Sequence, residues 1–277
     1  MKLGRISRLP VLKIFRPFVI DIRDVVFHFL TAKNSNKLRP EYIKYTRGKI
    51  GLEIGGPSWL WKTHIPIYRI AKKIDNFDRI EKNQFNYFLL KKGDQYVSKE
   101  EKEAIYPFSN ESYDFILARH VLEHIANPIK LLIEWRRILK RDGILIITVP
   151  NKLYSFDYPR PYTTFAHLLD DYINDMKEND KTHFQEVKDL LHDHCTPEYA
   201  TRKEWAQIVE DNINARQVHH HVFSEEVIAR VVSEAGFRVL DSNANVAGDT
   251  VVLAQRYDDK NLRHKPSIEI IRKYESD

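Results

Sequence analysis

A glycine turn in this sequence has the residue types and spacing of a ligand-binding loop. An apolar run that carries Glu53 ends in Gly55 and Gly56. Glycine lets backbone N–H groups approach a ligand closely, as nucleotide-binding folds do after their first strand. The spacing argues against a nicotinamide or flavin cofactor, because G-x-G-x-x-G would need glycines where Pro57 and Leu60 stand. The turn therefore predicts another adenosine-bearing cofactor.

A second pair of reactive side chains follows a short apolar segment. Residues Phe115 to Ala118 form a predicted buried strand, and Arg119 and His120 come directly after it. In open α/β sheets, ligands bind in the crevice outside the carboxyl ends of the strands. We therefore expect Arg119 and His120 to lie at a ligand-binding edge.

These residues need a sheet to position them, and the apolar pattern predicts one. Strands are predicted at Ile50 to Ile54, at Ile70 to Ile74 and, as a central strand covered on both faces, at Ile144 to Val149. Between the first two strands, Pro57 and Pro66 leave room for only a short or irregular helix. The first crossover helix is therefore predicted to be degraded.

Two longer helices carry signals at their ends. Asn127 and Pro128 suit the N-cap and first turn of one helix, and Gly143 is a candidate for its C-terminal cap. The other helix is predicted to begin after a cap at Ser224 and to close at Gly236.

Residues 151–222 differ from the rest of the chain, since they are polar, aromatic and rich in histidine. This stretch is too long for an ordinary loop, so we predict an inserted, mostly helical cap. Two last strands are predicted beyond it, Phe237 to Leu240 and Thr250 to Gln255. Their connection is predicted to contain three residues with turn character, Asn243, Asn245 and Gly248.

Composition limits the class of protein. A chain of 277 residues can bury one substantial core with an added subdomain. Cys195 is the only cysteine, which excludes an intramolecular disulfide, and its spacing from His192 and His194 is not that of a metal site. We therefore predict no metal site and a reducing, cytoplasmic location.

The N-terminal segment is basic and then apolar. The chain has a formal net charge of +5 and an isoelectric point near 9.0, and no acidic residue precedes Asp21. Acidic residues interrupt the apolar stretch, so neither a signal peptide nor a transmembrane span is predicted. Two interpretations stay open, a helical arm packed on the core and a basic amphipathic anchor at the inner membrane face. The arm could also form a dimer contact.

Several motifs in a fixed order make a more specific signal than any one of them. The sequence contains KIGLEIGGPS (49–58), YPFSNES (106–112), YDFILARHVLEHIANPIKLLIEWRRILKRDGILIITVPN (113–151), YSFDYPRPYTTFAHLLDDY (154–172) and HHHVFSEEVIARVVSEAGF (219–237). Over residues 48–256 the chain resembles the class I S-adenosylmethionine-dependent methyltransferases. It is most similar to a bacterial branch with LEIG, LPF and SHVLEH motifs that is often associated with surface-glycan assembly. The sequence departs from that branch at Pro57, where a third glycine is usual, and at Arg141-Asp142-Gly143, where PGG is usual.

The resemblance implies an α/β fold, namely a doubly wound, Rossmann-like sheet with an antiparallel last strand. A helical N-terminal arm and a helical insert after the fifth strand would complete it. The chain then divides into an arm (1–40), the cofactor-binding half of the core (41–150), an acceptor-binding cap (151–222), the C-terminal part of the core (223–257) and a charged tail (258–277).

The resemblance also implies a site for S-adenosylmethionine. Gly55 and Gly56 would supply the close backbone approach, and Glu53 would support the methionine end through that loop or through water. The ribose carboxylate should stand at the tip of the second strand. Asp75 fits the distance from the glycines, whereas Asp78 fits the family pattern, and the sequence leaves the choice open.

The adenine end of this site is less well defined by the motifs. Pro107 and Phe108 match the family motif that lies against adenine, and Glu103 is a weaker candidate for adenine recognition. Arg119 would lie beside the cofactor. His120 matches the first histidine of SHVLEH and would face the cofactor or the acceptor.

Transfer to a sugar hydroxyl also needs a general base, most often a histidine or a carboxylate. Histidines 219–221 return the chain to the sheet edge, and His221 matches a family histidine, so we predict it as the leading base with His120 as the other candidate. Asp157 and Arg160 match an FD-x-x-RP pattern and could orient and bind the acceptor. The Glu-His pair at 123–124 is predicted to be architectural.

The resemblance favours an O-methyltransferase that acts on a sugar or polysaccharide intermediate, beside membrane-bound assembly machinery. An RNA or another small molecule is the alternative acceptor, and a non-catalytic binding or scaffold module is the alternative class. The insert argues against nucleic acid because it is rich in acidic residues, including Asp170, Asp171, Asp175, Glu178 and Asp180.

Overall fold

A computed structural model describes residues 40–63, 65–78, 96–98, 106–189, 202–246 and 248–258. All but the last residue of the predicted arm, and all but the first residue of the predicted tail, lie outside these ranges. Glu103, His192, His194 and Cys195 also lie outside them. In the described ranges, no helix has the length and apolar character that crossing a membrane requires.

The core is a seven-stranded mixed sheet. Its strands are β1 (Ile50–Ile54), β2 (Lys73–Asp78), β3 (Tyr96–Ser98), β4 (Tyr113–Arg119), β5 (Leu139–Pro150), β6 (Phe237–Val246) and β7 (Asp249–Arg256). They lie in the order β3-β2-β1-β4-β5-β7-β6. The first five strands of that order pair in parallel, whereas β7 pairs antiparallel with both β5 and β6. The Rossmann-like sheet with an antiparallel last pair is therefore confirmed.

Helices connect and cover these strands. They are α1 (40–46), α2 (Trp59–Thr63), α3 (Ile67–Ile70), α4 (Pro128–Ile138), α5 (Phe165–Ile173), α6 (Phe184–Asp189), α7 (Arg202–Glu210), α8 (Asn212–Ala215) and α9 (Glu225–Glu234). Short 3-10 turns lie at Leu122–His124 and Lys152–Tyr154. The crossover after β1 contains only α2 and α3, so the predicted degraded first helix is confirmed.

Both predicted N-caps form. The side chain of Asn127 accepts from the backbone N–H of Lys130, and the side chain of Ser224 accepts from that of Val227. Each cap satisfies one N–H group that a helix start would otherwise leave without a partner. The two caps fix where α4 and α9 begin on the same side of the sheet.

Three predicted boundaries are wrong. The second strand is Lys73–Asp78 rather than Ile70 to Ile74, because Ile70 ends helix α3. Gly143 does not cap α4, since that helix ends at Ile138 and the next residue is already extended, so the glycine lies inside β5. Asn243 and Asn245 belong to β6, which leaves only residues 247 and 248 between β6 and β7.

Apolar residues cover both faces of the sheet. On one face, Ile116 and Leu145 pack with α4 and α9 around Trp135. On the other face, Phe115 and Ile146 pack against the residues of α1 to α3. Alternate residues of β4 and β5 point to opposite cores, which explains the continuous apolar run at 144–149.

Between β5 and α9, the described elements are helical, as the sequence predicts for residues 151–222. This insert has a small apolar core of its own, made by Phe184, Val187, Trp205, Val209 and Val218. Hydrogen bonds tie it to the sheet domain, among them His220 N–H to Glu123 O at 2.8 Å and the Asn127 side-chain amide to Asp171 O at 3.0 Å. The polar insert therefore packs as a second layer beside the main core.

Candidate functional site

The glycine turn after β1 is closely packed against neighbouring side chains. Gly55 has φ +71°, and a Cβ there would lie 2.6 Å from a methyl carbon of Val121. A Cβ on Gly56 would lie 2.2 Å from the carboxyl carbon of Glu53. Both positions therefore require glycine, and the turn is packed against the segment that follows β4.

The Glu53 side chain supports this turn through hydrogen bonds. Its carboxylate is fully buried, and it accepts from the Ser58 backbone N–H at 2.9 Å and from the Tyr68 hydroxyl. A buried carboxylate that receives such bonds fixes the path of the loop. The predicted support of the methionine end through the loop is compatible with this arrangement.

Of the two carboxylates predicted for the ribose, only Asp78 ends its strand. Asp75 lies in the middle of β2, where it pairs with the Lys73 ammonium at 2.8 Å and accepts from the Tyr113 hydroxyl at 3.0 Å. The prediction that Asp75 stands at the strand tip is therefore wrong, because the strand ends at Asp78, four residues beyond the predicted end at Ile74. Asp78 occupies the carboxyl edge, where ligands of such sheets bind.

Phe108 lies in an aromatic group that adjoins β2 and β4. Its ring centroid is 5.6 Å from that of Phe77 and 5.4 Å from that of Tyr113. Arg137 donates to the Phe108 carbonyl at 2.8 Å, which fixes the backbone there. Pro107, next to it, is exposed. Phe108 packs edge to face against the rings of Phe77 and Tyr113, and adenine contact by Pro107 and Phe108 stays a prediction.

Arg119 and His120 meet a partner that the sequence did not indicate. Asp249, the first residue of β7, pairs with Arg119 Nε at 3.1 Å and with His120 Nε2 at 2.8 Å. The carboxylate of Asp249 is 5% exposed, whereas the His120 side chain is 36% exposed. The histidine therefore has one ring nitrogen on a buried anion while part of its ring faces solvent.

Electrostatics keep this pair in a defined protonation state. Burial lowers the pKa of His120, and the nearby Arg119 charge lowers it further, while Asp249 partly offsets both effects. Burial alone would raise the pKa of Asp249, but His120 and Arg119 bring it down to about 2. Near neutral pH the imidazole is therefore neutral and the carboxylate is ionised. His120 also has φ +52°, an uncommon conformation for a residue other than glycine.

The FD-x-x-RP motif is internal. Arg160 is 2% exposed and donates to Asp157 at 2.8 Å, to the His219 carbonyl at 2.8 Å and to Glu186 at 2.7 Å. Asp157, also 2% exposed, pairs with His219 Nδ1 at 2.5 Å. Their predicted contact with the acceptor is therefore corrected, because their charges are buried and engaged inside the protein.

His221, the leading base predicted from the sequence, is also buried. It is 1% exposed, and its Nε2 lies 3.4 Å from the Ala126 carbonyl and 3.6 Å from Asp171 Oδ2. Burial and the neighbouring histidines lower its pKa well below the usual value. An acceptor hydroxyl cannot reach a ring in this position, so the structure favours His120 over His221 as the base.

The pair at 123–124 occupies the joint between β4 and the insert. Besides the Glu123 carbonyl that accepts from His220, His124 Nδ1 lies 3.0 Å from the Val218 carbonyl. Burial raises the pKa of Glu123 well above its usual value. Both residues are placed as an architectural role would require.

Sequence reasoning missed Asp249, His167, Asp171 and His183. The spacing of His167 and Asp171, four residues apart on one helix, was a usable signal. For Asp249 there was none, since it lies 129 residues from His120 and meets it only because β7 returns beside β5.

Comparison with known proteins agrees with this geometry. Residues 33–242 match the family described as "Methyltransferase domain". Two uncharacterised proteins of Methanocaldococcus jannaschii, MJ0638 and MJ1123, are 50% and 46% identical over 46 residues, which is 17% of this chain. The match spans only about a fifth of each relative, 20% and 22% of their lengths.

Solved structures of methyltransferases align with this chain. A putative methyltransferase from Haloferax volcanii, in complex with the Trm112 methyltransferase activator, aligns with TM-score 0.51 at 14% identity, covering 89% of this chain and 95% of that one. A methyltransferase from Aquifex aeolicus aligns with TM-score 0.48 at 17% identity, covering 88% and 100%. With its sheet order and its glycine turn, the chain belongs to the methyltransferase-domain family, whose methyl donor is S-adenosylmethionine.

Proposed function

We propose that this protein methylates a hydroxyl group of a sugar or polysaccharide intermediate, with His120 as general base. The observation that carries the proposal is the His120–Asp249 pair at the carboxyl edge of β4, half-exposed on the histidine side and buried on the aspartate side. This edge also contains the glycine turn, since Gly55 packs against Val121.

A sugar hydroxyl is a weak nucleophile, so its proton must leave as the new bond forms. When bound, S-adenosylmethionine supplies a methyl group that is activated by its positively charged sulfur. A neutral His120 that donates Nε2–H to Asp249 has Nδ1 free to accept the hydroxyl proton. Asp249 then stabilises the imidazolium and holds the ring in one orientation, as the carboxylate of a catalytic triad does.

Arg119 completes this arrangement from the other side of the carboxylate. Its Nε bond to Asp249 fixes Asp249 between two cations when His120 is protonated. Much of the rate of a methyl transfer comes from holding acceptor and donor in line. Fixed groups at the end of β4 suit that requirement.

Exposed tyrosines near this edge support a sugar as the acceptor. Pro150 ends β5, and the next residue, Asn151, donates its backbone N–H to Gly248, beside Asp249. The segment that follows presents Tyr154, Tyr158 and Tyr162, which are 58%, 60% and 42% exposed. A tyrosine ring offers an apolar face with a polar tip, which matches a sugar ring and its hydroxyls.

The location of the enzyme is part of the same proposal. A glycan intermediate would be carried or assembled at a membrane, and the basic N-terminal arm would bring a cytoplasmic protein to its inner face. The same arm would serve as the contact if the protein forms a homodimer. These roles rest on the charge of residues 1–40.

The direct test is transfer of a labelled methyl group from S-adenosylmethionine to a panel of sugars and sugar-lipid acceptors, with RNA and small aromatic hydroxyl compounds as comparison acceptors. We expect label only on carbohydrate, and a deoxy analogue at the methylated position should remain unlabelled. Transfer to RNA with none to carbohydrate would overturn the proposed acceptor.

A further inference from the structure

Three histidines from separate segments converge inside the insert. His167 lies in α5, His183 lies just before α6, and His221 lies in the return to the sheet. His167 Nε2 and His183 Nε2 are 3.1 Å apart, and one ring nitrogen of each histidine lies within 4.8 Å of those of the other two. The three imidazoles therefore surround one small volume, which we call the three-histidine site.

A carboxylate adjoins this site. Asp171, one turn after His167 on α5, has Oδ2 at 3.5 Å from His167 Nε2 and at 3.6 Å from His221 Nε2. Its side chain is 6% exposed, and Oδ2 has no hydrogen-bond partner. Nδ1 of the buried His221 also has none. Buried polar atoms in folded proteins nearly always have partners, so the unpartnered Asp171 Oδ2, which lies beside two imidazole Nε2 atoms, indicates a missing ligand.

The spacing fits a small tetrahedral cation. Zinc binds histidine nitrogen and carboxylate oxygen at about 2.0–2.2 Å, which places tetrahedral ligand atoms about 3.3–3.5 Å apart. The three separations of 3.1, 3.5 and 3.6 Å lie close to that value. A ring nitrogen of His221 lies within 4.8 Å of those of His167 and His183, and small side-chain rotations would bring it to the tetrahedral separation.

The charges of the site also suit a cation. Burial and the neighbouring histidines lower the pKa of His221, and burial and His167 have the same effect on the pKa of His183. Both imidazoles are therefore neutral and retain a lone pair for a metal. Burial raises the pKa of Asp171 to about 6, an unfavourable environment for the carboxylate that a dication would relieve.

Groups behind the site would orient its ligands. His183 Nδ1 lies 3.5 Å from Glu186 Oε2, and Glu186 also accepts from Arg160 Nε at 2.7 Å. Histidine ligands in metal sites commonly donate their second N–H to a carboxylate, which fixes the ring and its tautomer. Arg160, which also pairs with Asp157, therefore helps to hold Glu186 and, through Glu186, the His183 ring.

We propose that His167, His183 and His221 bind a divalent transition-metal ion of the zinc class, with Asp171 as the fourth ligand. Four protein ligands leave no open position, which is typical of a structural site. The ion would join α5, the start of α6 and the segment around His221 that leads back to the sheet domain, and so hold the insert on the sheet. The sequence prediction of no metal site depended on spacing along the chain, and these ligands come from three distant segments.

A second histidine group in the described residues serves as an internal control. Glu123, His124 and His219 also lie within ligand distance of one another. There, however, His124 Nδ1 lies 3.0 Å from the Val218 carbonyl, and His219 Nδ1 pairs with Asp157. This group offers two imidazoles and one carboxylate, one ligand fewer than the three histidines with Asp171, so the metal should select the three-histidine site.

The first test is the metal content of the full chain, purified without chelator, dialysed against zinc and measured by plasma mass spectrometry. We expect about one zinc per chain in the wild type and in His124→Ala, and less than a tenth of that in His167→Ala and His183→Ala. His167 and His183 are chosen because they are only part-buried. A metal-free wild type, or loss of zinc in His124→Ala alone, would overturn the proposal.

A second measurement covers variants that fold poorly. Chelator-treated wild type is titrated with Co²⁺, and folding is checked by circular dichroism. Tetrahedral Co²⁺ should give strong visible absorption, and His183→Cys should retain binding and add a thiolate charge-transfer band, because cysteine is itself a good ligand. His124→Cys should leave the spectrum unchanged. The absence of visible absorption, or the same spectrum for wild type and His183→Cys, contradicts the assignment, and neither readout depends on methyl transfer.

Discussion

Two histidine–aspartate pairs in this protein have the same chemistry and opposite exposure. The His120–Asp249 pair at the sheet edge leaves the histidine 36% exposed, whereas in the His219–Asp157 pair of the insert the side chains are 8% and 3% exposed. A general base must be accessible to the acceptor. Of the two pairs, only the first has a histidine that is exposed enough for the proposed role. The comparison shows that a histidine motif acquires its role from burial rather than from its sequence.

The partners of the two carboxylates differ in the same way. Asp249 holds Arg119 and a histidine that remains accessible, so its charge acts at the edge of the sheet. Asp157 holds Arg160, which is itself bound to Glu186 and to a carbonyl group. The first network contains a part-exposed histidine, whereas in the second the charged groups bind one another.

The largest expected effect is a difference in kcat between variants of His120 and variants of His219. His120→Gln should lower kcat by about 10²–10⁴-fold, because the proton acceptor is lost, while the melting temperature changes little. His219→Gln should lower the melting temperature and retain kcat per folded molecule. The measurement is kcat at saturating substrate beside a thermal melt of each variant. Equal losses of kcat in the two folded variants would break the comparison.

The next effect concerns stability. Asp157→Ala leaves the buried Arg160 without its buried anion, which should cost about 3–5 kcal/mol of unfolding free energy in a urea titration. Asp175, on the surface, pairs with Lys130 and Lys177, and Asp175→Ala should change stability far less because water screens those charges. If the two variants were equally stable, the network around Asp157 would not be a stabilising one.

The sequence was sufficient for much of the sheet domain. The strand at Ile50–Ile54, the caps at Asn127 and Ser224 and the antiparallel last pair depend on local signals, and each was predicted. The errors at the second strand and at Gly143 are also local. Ile70 could continue a strand or end a helix, and the residues before Gly143 could extend α4 or start β5. The neighbouring elements determined which conformation was adopted.

The site was only half predictable. Gly55, Gly56 and His120 follow strands directly, so their position was readable from the chain. The partner of His120 was not, because it depends on the strand order β4-β5-β7. In the insert, the order of helices gave no information on which side chains are buried, so the burial of His221 and Asp157 was not predictable.

A smaller effect should appear in the pH dependence of kcat. His120 has a lowered pKa and must be neutral to act, so kcat should be constant above pH 6.5 and fall as the pH decreases through the folded-state pKa, below about 6.5. Asp249→Asn removes the charge that raises this pKa, so the acidic limb should move to still lower pH, with a lower plateau. A limb that moved to higher pH would contradict the assigned pairing.

The smallest effect tests whether the sheet domain and the insert unfold together. Ser224 caps α9 in the sheet domain, and Thr164 caps α5 in the insert by accepting from the His167 N–H at 3.2 Å. Either change to alanine should cost about 1 kcal/mol, since one helix N–H loses its partner. If the insert is attached to the sheet domain as the bonds between Asn127 and Asp171 and between His220 and Glu123 indicate, both variants should shift one common transition by the same amount. A calorimetric trace in which Thr164→Ala moves only an early, separate transition would show that the insert folds independently of the sheet. The two pairs would then belong to different cooperative units, and burial of His219 would no longer be linked to the stability of the edge that holds His120.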